Sequence, residues 1–137
     1  MKLFRLWVPV ITWMAVIFFF SSQHKVSVSE DSLINFLFFK TLHVLEYYLL
    51  YFLSYRAVRN TWNKQTTGVW YMTAFVLTVI YAVTDEIHQV YVPTREGRLR
   101  DVIIDTGGAV LSWLTLWIIV PKLPGKLLKS VRHWQLL

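Results

Sequence analysis

"FFKTLHVLEYYLLYFL", residues 38–53, is a run of apolar and aromatic side chains interrupted by Lys40, His43 and Glu46, with Tyr47 beside the last. These four positions are spaced by three, three and one. At 100° per residue they share an arc of roughly 120°, a single stripe along a helix. Charge at that depth in an apolar helix is costly, and it normally faces the interior of a bundle. The stretch lies inside an apolar run over 33–55, about as long as the ~20 residues that a bilayer core requires. Its reading is a transmembrane helix with one polar face.

The rest of the chain fits that reading. Of 137 residues, 55% are hydrophobic and only 16% charged, which is apolar for a soluble domain. Further apolar runs cover 6–23, 69–92 and 102–120, each long enough to span. The first run lacks a small-residue cleavage site and is read as a span rather than a signal peptide. The expected fold is an all-α integral membrane protein. A four-transmembrane-helix bundle occupies 1–120, and a C-terminal amphipathic basic helix follows in an interfacial tail at 121–137. The chain has no cysteine, so thiol chemistry is excluded.

Orientation is read from basic residues in the short connections. Lys2, Arg5, Arg56, Arg59, Lys64, Lys122, Lys126, Lys129 and Arg132 fall on one side, and Lys25, Arg95, Arg98 and Arg100 on the other. Both termini are therefore expected in the cytoplasm, with Trp7, Trp62, Trp70 and Trp117 near that interface. In the tail, Leu127, Leu128, Val131 and Trp134 recur at helical spacing between Lys126, Lys129 and Arg132. This is the pattern of a helix lying on anionic inner-leaflet lipid. The net charge of +6 does not point to nucleic acid, because the basic residues flank spans instead of lining a soluble face.

Other polar residues converge on one depth. The second span enters from the extracytoplasmic side, so Lys40, His43 and Glu46 lie in its outer half. The third exits there with Asp85, Glu86 and Gln89, and the fourth begins there with Asp101 and Asp105. The first delivers Ser21, Ser22 and Gln23 to the same level. Polar stripes from four separate segments meeting in one layer describe a site that faces the extracytoplasmic side. Gly108 continues the Asp101–Asp105 face, and the Gly107–Gly108 pair is expected to permit close helix packing. Lys40 is expected to neutralise buried carboxylates, with Glu46 or Asp85 as its partner. Arg95 is expected to fold back on the acids while presenting a fork to substrate.

"FFFSSQ" at 18–23, "KTLHVLEY" at 40–47, "DEIHQ" at 85–89, Arg95 and the 101–108 segment together resemble the VanZ-like family. That family takes its name from a protein associated with low-level teicoplanin resistance. The resemblance implies a cell-envelope role. It carries over Lys40, His43, Glu46 and Tyr47 as the helix 2 motif and Asp85, Glu86 and Gln89 as the acidic motif, with Arg95, Asp101 and Gly108 following. Asp105 stands where the family commonly has Asn, an extra acid that favours cation binding over a purely amide role.

Within this set, His43, Glu46, Asp85 and Glu86 are the candidates for proton transfer. Ser22, Gln23, Lys40, Tyr47, Gln89, Arg95, Asp101 and Asp105 are the candidates for substrate binding. If the arginines fold inward, the acids are balanced without a metal. If they point to water, Asp85, Glu86, Asp101 and Asp105 must hold protons or a divalent cation. Glycine-rich phosphate loops, His-Glu-x-x-His and Gly-x-Ser-x-Gly motifs are absent from the sequence. Three readings remain: an enzyme acting on an anionic lipid or lipid-linked envelope precursor, a non-enzymatic binder of such a lipid or of glycopeptide, and a partner subunit or small transporter in a membrane complex. The apolar inner halves of the spans weigh against transport.

Overall fold

The computed structural model describes residues 2–24 and 27–133. It contains α1 (Lys2–Ser21), α2 (Ser32–Thr61), α3 (Thr67–Val90), α4 (Leu99–Leu114) and α5 (Gly125–His133), with no strand among the described residues. Four helices are long and apolar enough to cross a membrane, α4 doing so through its continuation to Lys122. Large apolar side chains such as Phe4, Ile11, Leu45, Ile80, Ile103 and Trp117 lie exposed along their flanks, as expected of helices whose solvent is lipid. The chain is a multi-pass membrane protein. The basic tail does form a helix, α5; Trp134, which the sequence places on its apolar stripe, lies outside the described residues.

The bundle is organised around α2, which packs against α1, α3 and α4, whereas the backbones of α1 and α4 are not neighbours among the described residues. At 30 residues, α2 is roughly 45 Å long, half as long again as a hydrocarbon core. Asp31 caps its start, the carboxylate accepting from the Leu33 and Ile34 amides at 2.7 and 3.4 Å. Asn35 then folds back to tie down the preceding loop, accepting from the Val28 amide at 2.8 Å and donating to Ser27 Oγ at 2.9 Å.

The lower end of α4 changes winding. Residues Thr115–Ile119 form a π turn and Val120–Lys122 a 3-10 turn. Pro121 has no amide to return to the carbonyl four residues back, and a widened turn accommodates the loss. Gly108 is required where α4 crosses α2, because a Cβ there would run into the Val44 carbonyl oxygen. Gly107 differs from the expectation for the pair. Nothing lies within 4 Å of a Cβ built on it, so only one of the two glycines serves the packing.

The ends of the bundle differ in what fills them. At the end nearest α5, Tyr51, Tyr55, Tyr71 and Trp113 form an aromatic layer. Tyr51 and Tyr71 both stack on Trp113, with centroids 6.3 and 5.7 Å away. Tyr55 meets Tyr71 at 4.6 Å. Indole N–H groups bolt the helices together there, Trp7 to Thr61 Oγ1 at 3.0 Å and Trp70 to the Trp62 carbonyl at 2.8 Å. At the opposite end the interior is polar and partly empty.

Candidate functional site

The polar end holds a cavity of about 530 Å³. Its lining combines Phe36, Phe39, Lys40 and His43 of α2 with Gln89 of α3, Arg95 and Arg98 of the following loop, and Arg100 and Asp101 of α4. Of the residues that the sequence sets at one depth, Lys40, His43, Gln89, Arg95 and Asp101 meet in this wall, and α1 contributes none to it. The three-residue spacing of Lys40, His43 and Glu46 points them to one side, and Tyr47, one position on, is fully buried.

The acids sort into three local arrangements. Asp101 pairs with Lys40, whose Nζ lies 2.8 Å from Oδ2, while Arg100 Nε approaches Oδ1 at 3.4 Å. Asp105, one turn deeper and 1% exposed, faces His43, with Nδ1 3.4 Å from Oδ1. That is ion-pair range, but the alignment is not that of a hydrogen bond, and both Asp105 oxygens lack a hydrogen-bond partner. The same His43 nitrogen lies 3.8 Å from Glu46 Oε2. Asp85 and Glu86 share Gln89, whose Nε2 donates to Asp85 Oδ2 at 3.0 Å and Glu86 Oε1 at 3.2 Å. Split in this way, the acids do not form a metal set. Among the described residues no group of three or more His, Asp or Glu is placed to hold an ion.

Two pairings differ from the sequence expectation. Lys40 meets Asp101, not Glu46 or Asp85. Arg95 does not fold onto the carboxylates. It donates through Nε to the Gln23 carbonyl at 2.9 Å and through Nη2 to the Phe20 carbonyl at 3.1 Å. Those carbonyls lie in the last turn of α1 and just past its end, where a cation is favoured. Arg95 thus anchors α1 to the loop while still lining the cavity. Arg98 also makes its contact with the acids by an unexpected route. Its backbone amide donates to Glu86 Oε2 at 2.9 Å, and its guanidinium pairs with Glu96. Gly97 permits the approach, since a Cβ would strike the Glu86 carbonyl oxygen and Val90.

The serine pair at the end of α1 also divides. Ser21, 4% exposed, donates to Asp85 Oδ1 at 2.6 Å. Ser22 sits 3.0 Å from His88 Nε2, and Phe18 lies against that imidazole at 4.3 Å. The Gln23 side chain returns to the Phe19 carbonyl at 3.1 Å and does not enter the cavity. Ser21 is the residue that sequence reasoning underused. It lies four positions after Ile17, on the stripe that also buries Leu6 and Val10, and that period marks Ser21 rather than Ser22 as inward.

No curated protein and no solved structure matches the chain. A family model described as VanZ/LLP1 matches residues 6–120, which takes in all four spans and every side chain of the polar cluster. The chain belongs to the VanZ-like family of membrane proteins.

Proposed function

We propose that the polar end faces the extracytoplasmic side and takes the phosphate-bearing headgroup of an anionic lipid or lipid-linked cell-envelope component. Through that ligand the protein would contribute to glycopeptide resistance. The observation that carries this reading is the composition of the cavity wall. Lys40, Arg95, Arg98 and Arg100 line it together with Phe36 and Phe39. Guanidinium groups present forked donors that match phosphate oxygens. The Arg98 and Arg100 side chains are about half exposed, at 52% and 54%, and Arg100 lies over the Phe36 ring at 5.0 Å. Leu33 and Leu37, which flank that face of α2, are exposed and suited to acyl chains. Cations at the rim and apolar surface next to them are what a lipid headgroup and its tails require. His43 and the acids beneath supply proton-transfer groups if the ligand is also transformed.

The reading is tested by purifying the protein in mild detergent and identifying co-purifying lipid by mass spectrometry. A phosphate-bearing lipid is expected, and its yield should fall severalfold in an Arg98→Ala, Arg100→Ala double variant. Unchanged lipid in that variant would overturn the assignment. Orientation is tested on the cysteine-free background with single cysteines at the exposed positions Glu96 and Asn63. An impermeant thiol reagent should label Glu96→Cys on intact cells and spare Asn63→Cys.

A further inference from the structure

The cavity closes at His43. This is the last residue of α2 to line it, one position before Val44, where α4 crosses at Gly108. The His43 Nδ1 is buried and faces Asp105 and Glu46 at 3.4 and 3.8 Å, and two facing carboxylates favour the imidazolium. In that form both ring nitrogens carry a proton. The ring is 13% exposed and lines the cavity, so with Nδ1 buried its Nε2–H is the donor that a ligand reaches. Gln89 has the opposite polarity. Asp85 and Glu86 both accept from its Nε2, and an ionised carboxylate only accepts. Its Oε1 is therefore the end left for the cavity that it lines. The inner end of the cavity thus offers one fixed donor and one fixed acceptor.

Neither a cation nor a second anion suits that pair. An ammonium only donates and would meet the like charge of His43. A phosphate or carboxylate only accepts and would meet the Gln89 oxygen, with Asp105 and Glu46 close behind His43. Asp101 adds no free charge, because Lys40 holds its Oδ2 and Arg100 approaches its Oδ1. A hydroxyl both donates and accepts, and it carries no charge. The rest of the wall fits such a group. Ser32 and Thr94 bring further hydroxyls, and Phe36 and Phe39 bring apolar ring faces. The volume of about 530 Å³ is in the range of sites that hold ligands much larger than a phosphate.

We infer that the headgroup extends past its phosphate as a neutral polyol, a glycerol or a sugar. The phosphate lies among the rim arginines, and hydroxyls beyond it accept from His43 Nε2 and donate to Gln89 Oε1. The inference rests on the phosphate reading above. A headgroup of the same charge without hydroxyls keeps the contacts of the rim and loses those of the inner end.

The test compares phosphatidylglycerol, phosphatidylinositol and phosphatidylethanol of identical acyl chains, titrated into the detergent-solubilised protein with thermal unfolding as the readout. All three are phosphodiesters of the same charge, and only phosphatidylethanol lacks headgroup hydroxyls. The better of the two polyol lipids is expected to bind roughly tenfold more tightly than phosphatidylethanol, the scale of one hydrogen bond to a charged group. Which of the two it is assigns the polyol as a chain or a ring. Gln89→Met should abolish the preference while retaining the smaller phosphatidylethanol shift. Equal shifts for all three lipids on the wild-type protein would overturn the polyol assignment and leave the phosphate reading standing. No shift with any of them would overturn both. Persistence of the preference in a folded Gln89→Met would overturn the placement at this end of the cavity. If Gln89→Met does not fold, soluble glycerol phosphate, inositol phosphate and ethyl phosphate, competed against the bound polyol lipid on the wild-type protein, decide the polyol. The better polyol phosphate should displace the lipid at about a tenth of the ethyl phosphate concentration, and equal potency of all three would overturn the assignment.

Discussion

The two ends of this bundle hold the same helices together by different means. At the tail end the helices meet through rings, with Tyr51, Tyr71 and Trp113 stacked and indole donors tied across helices. At the polar end they meet through ion pairs and hydrogen bonds, Lys40 to Asp101 and Ser21 to Asp85, around space that a ligand can enter. Inside a membrane, apolar side chains gain little by leaving lipid for protein, so association depends on shape-matched packing and on polar contacts. The ring layer supplies the first and frees the polar end to remain open. It also fills that end with aromatic side chains.

The sharpest way to break this division of labour is to remove the aromatic keystone. Trp113→Ala should cost about 3 to 5 kcal/mol, the range for deleting a large packed ring, read as loss of the detergent-resistant fold. Lipid bound by the fraction that stays folded should be unchanged. Loss of lipid affinity in folded Trp113→Ala would show that the two ends are not separable.

Lys40→Met comes next. It leaves Asp101 with only the longer Arg100 contact at 3.4 Å, and breaking a buried pair costs roughly 3 kcal/mol or more. Lys40 is 19% and Asp101 10% exposed at the side chain, so the low end of that range applies. Asp101→Asn should restore stability to Lys40→Met, whereas Glu46→Gln and Asp85→Asn should not. Thermal midpoints of the three double variants read out which acid the lysine serves.

Gly108→Ala tests the join between the two ends, where α4 crosses α2. The added methyl meets the Val44 carbonyl oxygen, and overpacking of this kind costs about 1 to 3 kcal/mol. Gly107→Ala meets nothing within 4 Å and should be neutral or mildly stabilising through helix propensity. Equal losses for the two variants would contradict the close approach at Gly108.

Much of this architecture is legible in the sequence because bilayer thickness fixes span length and the helical period fixes faces. Lys40, His43, Glu46 and Tyr47 could be placed on one stripe without coordinates. Partner choice was not legible. Five acids lie near the same depth, and which one meets Lys40 depends on the rotation of α4 about its own axis. Arg95 ends on carbonyls of Phe20 and Gln23, and backbone acceptors leave no mark in the side-chain sequence. The Arg98 contact with Glu86 uses a backbone amide and was hidden for the same reason. Gly97 carried a faint signal, as the small residue that lets that amide approach.

The smallest effect concerns the serine pair at the end of α1, and it probes the polar end alone. Ser21 Oγ donates to Asp85 at 2.6 Å in a buried setting, and hydrogen bonds to a charged group are worth about 1.5 to 3 kcal/mol. Ser22 is half-buried; besides its 3.0 Å contact with His88 it hydrogen-bonds the Phe18 carbonyl of its own helix at 2.6 Å. Ser21→Ala should therefore lower stability by about 1.5 kcal/mol, since an alanine leaves one buried carboxylate oxygen without its donor. Ser22→Ala should stay within about 0.5 kcal/mol, as surface changes usually do. The Gln89 bond to Asp85 Oδ2 remains in either variant, so the yield of co-purifying lipid should not change. Chemical unfolding of both variants in one detergent provides the comparison. A larger loss from Ser22→Ala than from Ser21→Ala would mean that α1 presents the other serine to the site, turning its face by about 100°.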